Sequence, residues 1–179
     1  MPYAAELHLV NYNYQKYSTV VEALDKSDGL AVLGFFIEVG DEDNPAFQPL
    51  IDSLVNVTYP GTTLQLETPF PVLPLFPENV EEFYRYDGGL TSPGCFESVV
   101  WTVMKNPVSI SEEQMAAFRQ LRESASGEPV ELMLQNFRPP QPLNERTVYV
   151  NDLQVGDASS IRPILTVLLL SSVLALLSQ

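Results

Sequence analysis

The residues best suited to acid–base or metal chemistry are His8 and Glu6, two positions apart near the start of the chain. Alternate side chains of a β-strand share a face, so a strand here places both on one face, together with Val10. A carboxylate beside a histidine fixes the imidazole tautomer and strengthens the imidazole as a metal ligand. However, His8 is the only histidine of the chain, and a lone histidine among apolar residues is more often a packed core residue. From these residues alone, His8 can be interpreted either as a metal ligand or as a packed core residue.

A second candidate site is the loop sequence Leu-Thr-Ser-Pro-Gly at residues 90–94, in which Thr91 and Ser92 supply adjacent hydroxyl groups. In isolation this sequence predicts only a β-turn. Cys95 follows directly and is the only cysteine, so it has no disulfide partner within the chain. A leftover cysteine in a secreted chain suggests an intermolecular bond or a missing partner, whereas the alternative is a buried free thiol.

The apolar patterns predict a mostly β domain that positions these residues. The continuous apolar run over residues 30–39 indicates a strand buried in the centre of a sheet. Further strands are expected over residues 5–11, 96–104 and 129–137.

Short helices are expected at the periphery of the sheet. Asn44 followed by Pro45 is typical of an N-cap and first helical position, and Ser111 to Gln114 reads as a capping box. A helical turn is also expected within residues 17–24. Fifteen prolines and nine glycines fit this loop-rich β architecture better than a helical bundle.

The acidic composition excludes one class of partner. The formal net charge is −14, with only nine Lys and Arg residues, whereas nucleic-acid binding requires clustered cations. A chain of 179 residues, 45% of them hydrophobic, is long enough for one domain with a substantial core.

The C-terminal sequence predicts a membrane signal. Residues 164–179 contain no charge, and the run is short for a spanning helix. It fits the removable tail of a GPI signal better, with residues 151–163 as a polar linker and candidate anchor sites at 156–160; a single membrane span is the alternative. Residues 1–8 contain no signal peptide, although the sequon at Asn56 favours secretion. We therefore expect that an N-terminal part of the domain is missing.

Two runs together resemble a known family: Ala-Glu-Leu-His-Leu-Val at residues 5–10 and Tyr-Arg-Tyr-Asp-Gly-Gly-Leu-Thr-Ser-Pro-Gly-Cys-Phe-Glu-Ser-Val-Val-Trp at residues 84–101. They resemble the active-site strands and loop of the α-class carbonic anhydrases, in particular the extracellular, GPI-anchored members. The resemblance covers residues 1–150 and corresponds to the later part of the family domain. It implies an α+β, mostly β fold with a central, largely antiparallel sheet and short peripheral helices.

The resemblance also assigns roles to individual residues. It implies that His8 is one of three zinc-binding histidines and Glu6 its carboxylate partner, the other two histidines lying upstream, so that the Zn²⁺ site of this chain is incomplete. Thr91 would orient the attacking oxygen, Ser92 would order water in the active site, and Tyr86 would hydrogen-bond near their loop. Cys95 would form a disulfide with the missing segment. The substrate would lie against an apolar wall of Val10, Val32, Leu90, Val99 and Trp101.

The function implied is the zinc-dependent, reversible hydration of carbon dioxide to bicarbonate and a proton, with sulfonamides as inhibitors. The parent protein would be glycosylated at Asn56 and anchored at the extracellular face of the plasma membrane. Because two zinc histidines are absent, we expect this chain to be inactive alone. A non-catalytic, carbonic anhydrase-like binding module is the alternative. A third hypothesis is that the isolated chain folds poorly, because missing strands leave sheet edges unpaired.

Overall fold

The computed structural model of the protein describes residues 3–65 and 70–151 in full and the backbone of residues 173–178. The strands within this part of the chain are β1 Ala5–Tyr12, β2 Leu30–Gly40, β3 Phe83–Gly88, β4 Val99–Met104, β5 Val108–Ser111, β6 Tyr149–Asn151 and β7 Val173–Ser178. The helices are α1 Val20–Ala23, α2 Gln48–Leu54 and α3 Glu112–Phe118, with 3-10 turns at Pro45–Phe47 and Leu73–Leu75.

All of these strands belong to one sheet, in the order β6-β3-β4-β2-β1-β7, with β5 also paired to β2. Strand β2 runs parallel to β4 along its first half and to β5 along its second half. The pairs β1–β2, β1–β7, β3–β4 and β3–β6 are antiparallel. The mostly β fold with a largely antiparallel central sheet is therefore confirmed, and the two parallel pairings make the sheet mixed.

The main core lies between one face of the sheet and the short helices. Leu7 of β1 is opposite Phe35 of β2 in the register, and both side chains are fully buried. Helices α2 and α3 cover this face with Leu50, Met115 and Phe118. Apolar burial of this kind is the dominant stabilising contribution in a domain of this size.

Most of the predicted elements are confirmed. Strand β1 extends one residue beyond the predicted 5–11, and the apolar run 30–39 forms the central strand β2. The Asn44 side chain caps the turn at Pro45–Phe47 by accepting a hydrogen bond from the Ala46 backbone N–H at 3.0 Å. The strand predicted over 96–104 begins only at Val99, because residues 90–98 form the loop that precedes it.

The strand predicted over residues 129–137 is wrong. The segment forms only an isolated bridge between Arg122 and Leu132. The alternating apolar residues Val130, Leu132 and Leu134 are all exposed, so they do not mark a buried face. A period-2 pattern predicts a strand only where a neighbouring strand pairs with it, and no such neighbour lies in the described part of the chain.

The C-terminal prediction falls largely outside the described residues. Residues 152–172 and Gln179 are not described, so the linker and the candidate anchor sites cannot be placed. Residues 173–178 form β7, antiparallel to β1. Among the described residues, no helix has the length and apolar character needed to cross a bilayer.

Helix α3 provides a test of a local stabilising interaction. The Ser111 hydroxyl accepts a hydrogen bond from the Gln114 backbone N–H at 3.1 Å, and the Gln114 side-chain oxygen accepts one from the Ser111 backbone N–H at 3.3 Å, which completes the predicted capping box. The same hydroxyl donates a hydrogen bond to Asp43. We expect Ser111→Ala to lower the free energy of unfolding by about 1–2 kcal/mol, because it removes this cap. Urea denaturation measures the loss. Ser109→Ala, an exposed serine of the same strand, should change stability by less than about 0.5 kcal/mol. Equal losses would contradict the capping role.

Candidate functional site

The centre of the candidate site is a buried histidine held by a carboxylate. His8 is 3% exposed, and its Nε2 lies 2.7 Å from Glu6 Oε1 on the same face of β1. The hydrogen bond occupies Nε2, which leaves Nδ1 as the ring nitrogen that could bind a metal. The burial of His8 is compatible both with a packed core histidine and with a metal ligand. A metal-binding histidine also requires a hydrogen-bond partner for its other ring nitrogen, and Glu6 is such a partner.

The register of the sheet builds the wall beside His8. Val10 lies two residues after His8 on β1 and is opposite Val32 of β2. Val32 is in turn opposite Trp101 of β4, and Trp101 is opposite Tyr86 of β3. Because residues i and i+2 share a face, this row across four strands lies on the His8 face of the sheet. One strand order therefore brings together residues that are more than 70 positions apart in the sequence.

Trp101 is the largest side chain of this face and is 4% exposed. Its ring meets the His8 ring edge-on, with centroids 4.7 Å apart at 70°, and stacks against Tyr86 at 6.5 Å. Its Nε1–H donates a hydrogen bond to the Gly89 carbonyl at 3.0 Å. Trp101 thus contacts the histidine and also fixes the start of the loop that contains Thr91.

Two glycines leave room for this packing. Gly34 is opposite His8 on β2, and a Cβ there would lie 3.4 Å from Glu6 Oε1 and 3.5 Å from both His8 and Trp101. At Gly88 a Cβ would lie only 2.9 Å from the Trp101 ring. A Cβ at Gly88 would therefore displace the Trp101 ring, whereas a Cβ at Gly34 would make ordinary contacts and only a longer side chain there would disturb the site.

The backbone of Leu90 fixes the start of the predicted catalytic loop through two hydrogen bonds. The Leu90 N–H donates to the Phe96 carbonyl at 3.0 Å, and the Leu90 carbonyl accepts a hydrogen bond from Arg138 at 3.1 Å. Within the loop so fixed, Thr91 is half-buried and Ser92 is exposed. The roles predicted for Thr91 in orienting the attacking oxygen and for Ser92 in ordering water stay predictions.

The predicted apolar wall is contiguous in the structure. Val32, Val99 and Trp101 are buried in one cluster, and Val10 and Leu90 are half-buried against it. The structure thus brings all five predicted wall residues together. Tyr86 packs against the same cluster, although the hydrogen bond predicted for its hydroxyl group stays a prediction.

Two predicted modification positions lie at the surface. Cys95 is an exposed, free thiol with a positive φ of 47°, and its backbone N–H donates to the Ser92 carbonyl at 3.1 Å. The predicted alternative of a buried thiol is therefore wrong, because the turn presents the side chain to solvent. Asn56 follows α2 and is also exposed, as glycosylation would require.

The donor set does not fit a complete zinc site. A protein zinc site needs at least three side-chain ligands, and the described residues contain no group of three His, Cys, Asp or Glu side chains that could hold a metal ion. His8 contributes one imidazole, and the Glu6 carboxylate is hydrogen-bonded to that imidazole. Further ligands would have to approach His8 from outside the described residues.

The environment of this site raises the pKa of Tyr86. Burial of the phenol is the largest cause, the negative charge of Glu6 adds to it, and Arg146 partly offsets both. Tyr86 stabilises the fold in its neutral form. That contribution is complete below the ordinary tyrosine pKa of about 10 and is lost as the pH rises through the higher pKa of the folded state.

We therefore expect Tyr86→Phe, which cannot ionise, to lose less stability than the wild-type protein as the pH rises above about 10. Urea denaturation across the alkaline range measures the difference. Glu6→Gln should move the absorbance titration of Tyr86 to lower pH, because it removes one cause of the shift. Identical alkaline stability curves for Tyr86→Phe and the wild-type protein would contradict this account.

The sequence analysis did not identify two residues that shape the candidate site, Gly34 and Arg138. Gly34 admits the Glu6, His8 and Trp101 side chains, and an isolated glycine inside a strand pattern was the available signal of close approach. Arg138 fixes the Thr91 loop from a distant segment. No local pattern indicates that contact.

Comparison with known proteins identifies the family. A family model for the eukaryotic-type carbonic anhydrases matches residues 1–152. Carbonic anhydrase 1 from Mus musculus is 44% identical over 146 residues, which is 82% of this chain and 55% of the relative. Carbonic anhydrase 3 from Homo sapiens is 43% identical over the same shares. Carbonic anhydrase 1 from Oryctolagus cuniculus is 42% identical over 82% of this chain and 61% of its own length.

The chain therefore spans between half and two thirds of the length of these relatives. The match nevertheless includes both the His8 strand and the Thr91 loop, since both lie within residues 1–152. With a matching model over most of its length and relatives above 40% identity, the chain belongs to the eukaryotic-type carbonic anhydrase family.

Proposed function

We propose that the protein formed by this chain with further zinc ligands catalyses the reversible hydration of carbon dioxide to bicarbonate and a proton. The observation that supports this most is the 2.7 Å contact between His8 Nε2 and Glu6 Oε1, beside the apolar Trp101 wall. We infer the reaction from family membership, and we infer the role of this chain in that reaction from the contact between His8 and Glu6. The chemistry that bound zinc supplies is activation of water as a nucleophile.

The first proposed role is the positioning of His8 by Glu6. As the acceptor of the Nε2–H bond, the Glu6 carboxylate holds the ring in the tautomer that directs Nδ1 away from Glu6. The contact between the His8 and Trp101 rings restricts rotation of the imidazole. A ligand held in this way is preorganised, which lowers the cost of ordering it when a metal binds.

The second proposed role is substrate binding by the apolar wall. Carbon dioxide is small and uncharged, so a hydrophobic surface next to the reacting group suits it better than a charged pocket. Val10, Val32, Leu90, Val99 and Trp101 form such a surface on the His8 face. The Thr91 hydroxyl would orient the attacking oxygen toward the substrate by hydrogen bonding, and the more exposed Ser92 would order water in the active site.

The incomplete donor set favours a second candidate function. With no three-ligand metal group in the described residues, the chain by itself fits a non-catalytic, carbonic anhydrase-like binding module. The two candidates differ in a measurable property. The enzyme requires that further ligands complete the site at His8, whereas the binding module functions without metal.

We propose that the parent protein is extracellular and that it carries the modifications typical of secreted proteins. The exposure of Asn56 supports glycosylation, and the exposure of Cys95 supports a disulfide with another segment. The uncharged sequence of residues 164–179 supports a GPI signal or a membrane anchor. Sulfonamides are the proposed inhibitors.

A chimera tests the proposed activity. Residues 1–152 of this chain replace the corresponding part of mouse carbonic anhydrase 1, and carbon dioxide hydration is measured with and without a sulfonamide. We expect zinc-dependent, sulfonamide-sensitive activity. Thr91→Val should lower kcat/KM about 100-fold because it removes the orienting hydroxyl group, whereas Thr91→Ser should retain most activity. A folded, zinc-loaded chimera without activity would favour the binding module.

A further inference from the structure

A charged side chain is hydrogen-bonded to the peptide unit that joins Leu90 to Thr91. Arg138 donates from Nη1 to the Leu90 carbonyl at 3.1 Å. The Leu90 side chain packs against the apolar cluster that contains Trp101. This peptide unit therefore links a guanidinium group to the apolar wall on the His8 face of the sheet.

The hydrogen bond at the Leu90 carbonyl also sets the direction of the Thr91 N–H. A peptide unit is planar, and in the trans form its C=O and N–H groups point in opposite directions. The bond between Leu90 and Thr91 is trans, so the Thr91 N–H is directed away from Arg138. In the part of the chain that the structure describes, no backbone carbonyl accepts a hydrogen bond from this N–H, so it can donate to a bound acceptor.

The guanidinium group makes this N–H a stronger donor. An arginine side chain is positively charged at any physiological pH, and polar groups that are linked by hydrogen bonds polarise each other. A cation at the carbonyl oxygen draws electron density toward that end of the peptide and leaves the N–H more positive. The effect matters in this chain because its net charge of −14 opposes the approach of an anion unless a local positive charge compensates.

The position of the Arg138 guanidinium group is restricted by its surroundings. A Cβ at Gly89 would lie only 3.2 Å from Arg138 Nη1 and 3.2 Å from the Cys95 carbonyl oxygen, so glycine permits the close approach of Arg138 to the loop. Pro139 and Pro140 follow Arg138. Proline fixes its own φ and confines the residue before it to extended conformations. Arg138 is therefore held near the Leu90 carbonyl at a low entropic cost.

The preceding peptide unit is held independently of Arg138. The Gly89 carbonyl accepts a hydrogen bond from Trp101 Nε1–H at 3.0 Å, and the Leu90 N–H donates to the Phe96 carbonyl at 3.0 Å. Both ends of that unit are thus fixed before the chain reaches the next one. Loss of Arg138 should therefore change the orientation and polarity of a single peptide unit, while the start of the loop keeps its position.

We propose that Arg138 is a positioning residue for anion binding. By holding and polarising the peptide unit between Leu90 and Thr91, it enables the Thr91 N–H to donate a hydrogen bond to an oxygen atom of bicarbonate. The proposal rests on the proposed function, which supplies bicarbonate as the anion. Arg138 does not touch the anion and acts through the peptide unit alone. This role differs from that of a purely structural contact, because loss of the charge weakens anion binding in a chain that is still folded.

Titration of the full chain with bicarbonate, followed by the amide resonances in ¹H–¹⁵N NMR spectra, tests this role. We expect the Thr91 amide to show a saturable shift. Arg138→Gln, which removes the charge, should raise the dissociation constant for bicarbonate about threefold to tenfold. It should also shift the Thr91 ¹⁵N resonance before bicarbonate is added, because the hydrogen bond to the preceding carbonyl is weakened. Arg138→Lys, which keeps the charge and a donor, should retain most of the affinity.

Arg146→Gln is the matched control for loss of a cation. The Arg146 guanidinium group donates to the Pro142 and Leu143 carbonyls, so its removal should leave the dissociation constant unchanged. Sodium chloride at the same ionic strength is the control for a general effect of salt, and it should not shift the Thr91 amide as bicarbonate does.

The proposal would be overturned by a Thr91 amide that does not respond to bicarbonate in the wild-type chain, or by an equal response to chloride. A folded Arg138→Gln chain with wild-type affinity, or an equal loss of affinity in Arg146→Gln, would overturn it as well. The wild-type titration needs no variant, so the proposal stays testable if Arg138→Gln does not fold. The titration does not measure carbon dioxide hydration. An active chimera with an unresponsive Thr91 amide would therefore contradict this proposal alone, whereas an inactive chimera with a responsive amide would contradict the proposed function alone.

Discussion

Replacing Trp101 with alanine is expected to lower the free energy of unfolding by about 3–5 kcal/mol. The indole is almost fully buried, and its removal leaves a cavity against His8 and Tyr86. It also removes the hydrogen bond to the Gly89 carbonyl. The Thr91 loop should then exchange its amides faster, because one of its attachments to the sheet is lost. Urea denaturation and hydrogen exchange measure the two effects.

Trp101→Phe separates the packing of the ring from its hydrogen bond. Phenylalanine retains an apolar ring between His8 and Tyr86 but cannot donate to Gly89. We expect a loss of about 1–2 kcal/mol, the contribution of one partly buried hydrogen bond and a smaller ring. A loss for Trp101→Ala below about 1 kcal/mol would show that this side chain does not organise the site.

Replacing Phe35 with alanine should destabilise the opposite face by a similar amount, about 3–5 kcal/mol. Phe35 is fully buried, lies opposite Leu7 in the register and packs against Phe76 with ring centroids 5.2 Å apart. For a chain of this length, the loss corresponds to a decrease in Tm of about 6–20 °C. Calorimetry or thermal circular dichroism measures it.

The neighbouring Phe36 is the matched control. It has the same side chain on the same strand but lies on the other face, half-buried and stacked on Tyr3 at 4.5 Å. Because less apolar area is buried, Phe36→Ala should cost roughly half as much or less. Similar losses for the two variants would contradict the assignment of the main core to the Phe35 face.

The local chemistry of the sequence predicted the elements well. The Glu6 and His8 alternation, the apolar run of β2 and the capping box at Ser111 each depend on neighbours within a few residues, and each is present in the structure. The pairing of Glu6 with His8 is likewise a property of one strand. These features could be predicted because their physical cause lies in the local sequence.

Long-range contacts could not be predicted in the same way. The row Val10, Val32, Trp101 and Tyr86 depends on strand order, including a parallel pairing of β2 with β4. The wall was therefore anticipated through family resemblance and not through spacing. Arg138 contacts Leu90 across 48 positions, and the exposed alternation of residues 129–137 resembles a strand but has no partner strand in the described structure.

The C-terminal segment shows the same limit most clearly. Its uncharged sequence is consistent with a membrane signal, and the same apolar residues are also good strand formers. The structure pairs residues 173–178 with β1, an arrangement that depends on an available sheet edge and not on the segment itself. The sequence composition alone could not distinguish the two uses.

The most direct test of the account is the zinc content of the chimera that contains residues 1–152, measured by elemental analysis after dialysis, with variants at His8 and Glu6. We expect about one zinc per chain in the parent chimera and essentially none in His8→Ala. Glu6→Gln should bind zinc about 10- to 100-fold more weakly, because the imidazole loses the partner that positions it. Full zinc occupancy in a folded His8→Ala chimera would contradict the assignment of His8 as a metal ligand.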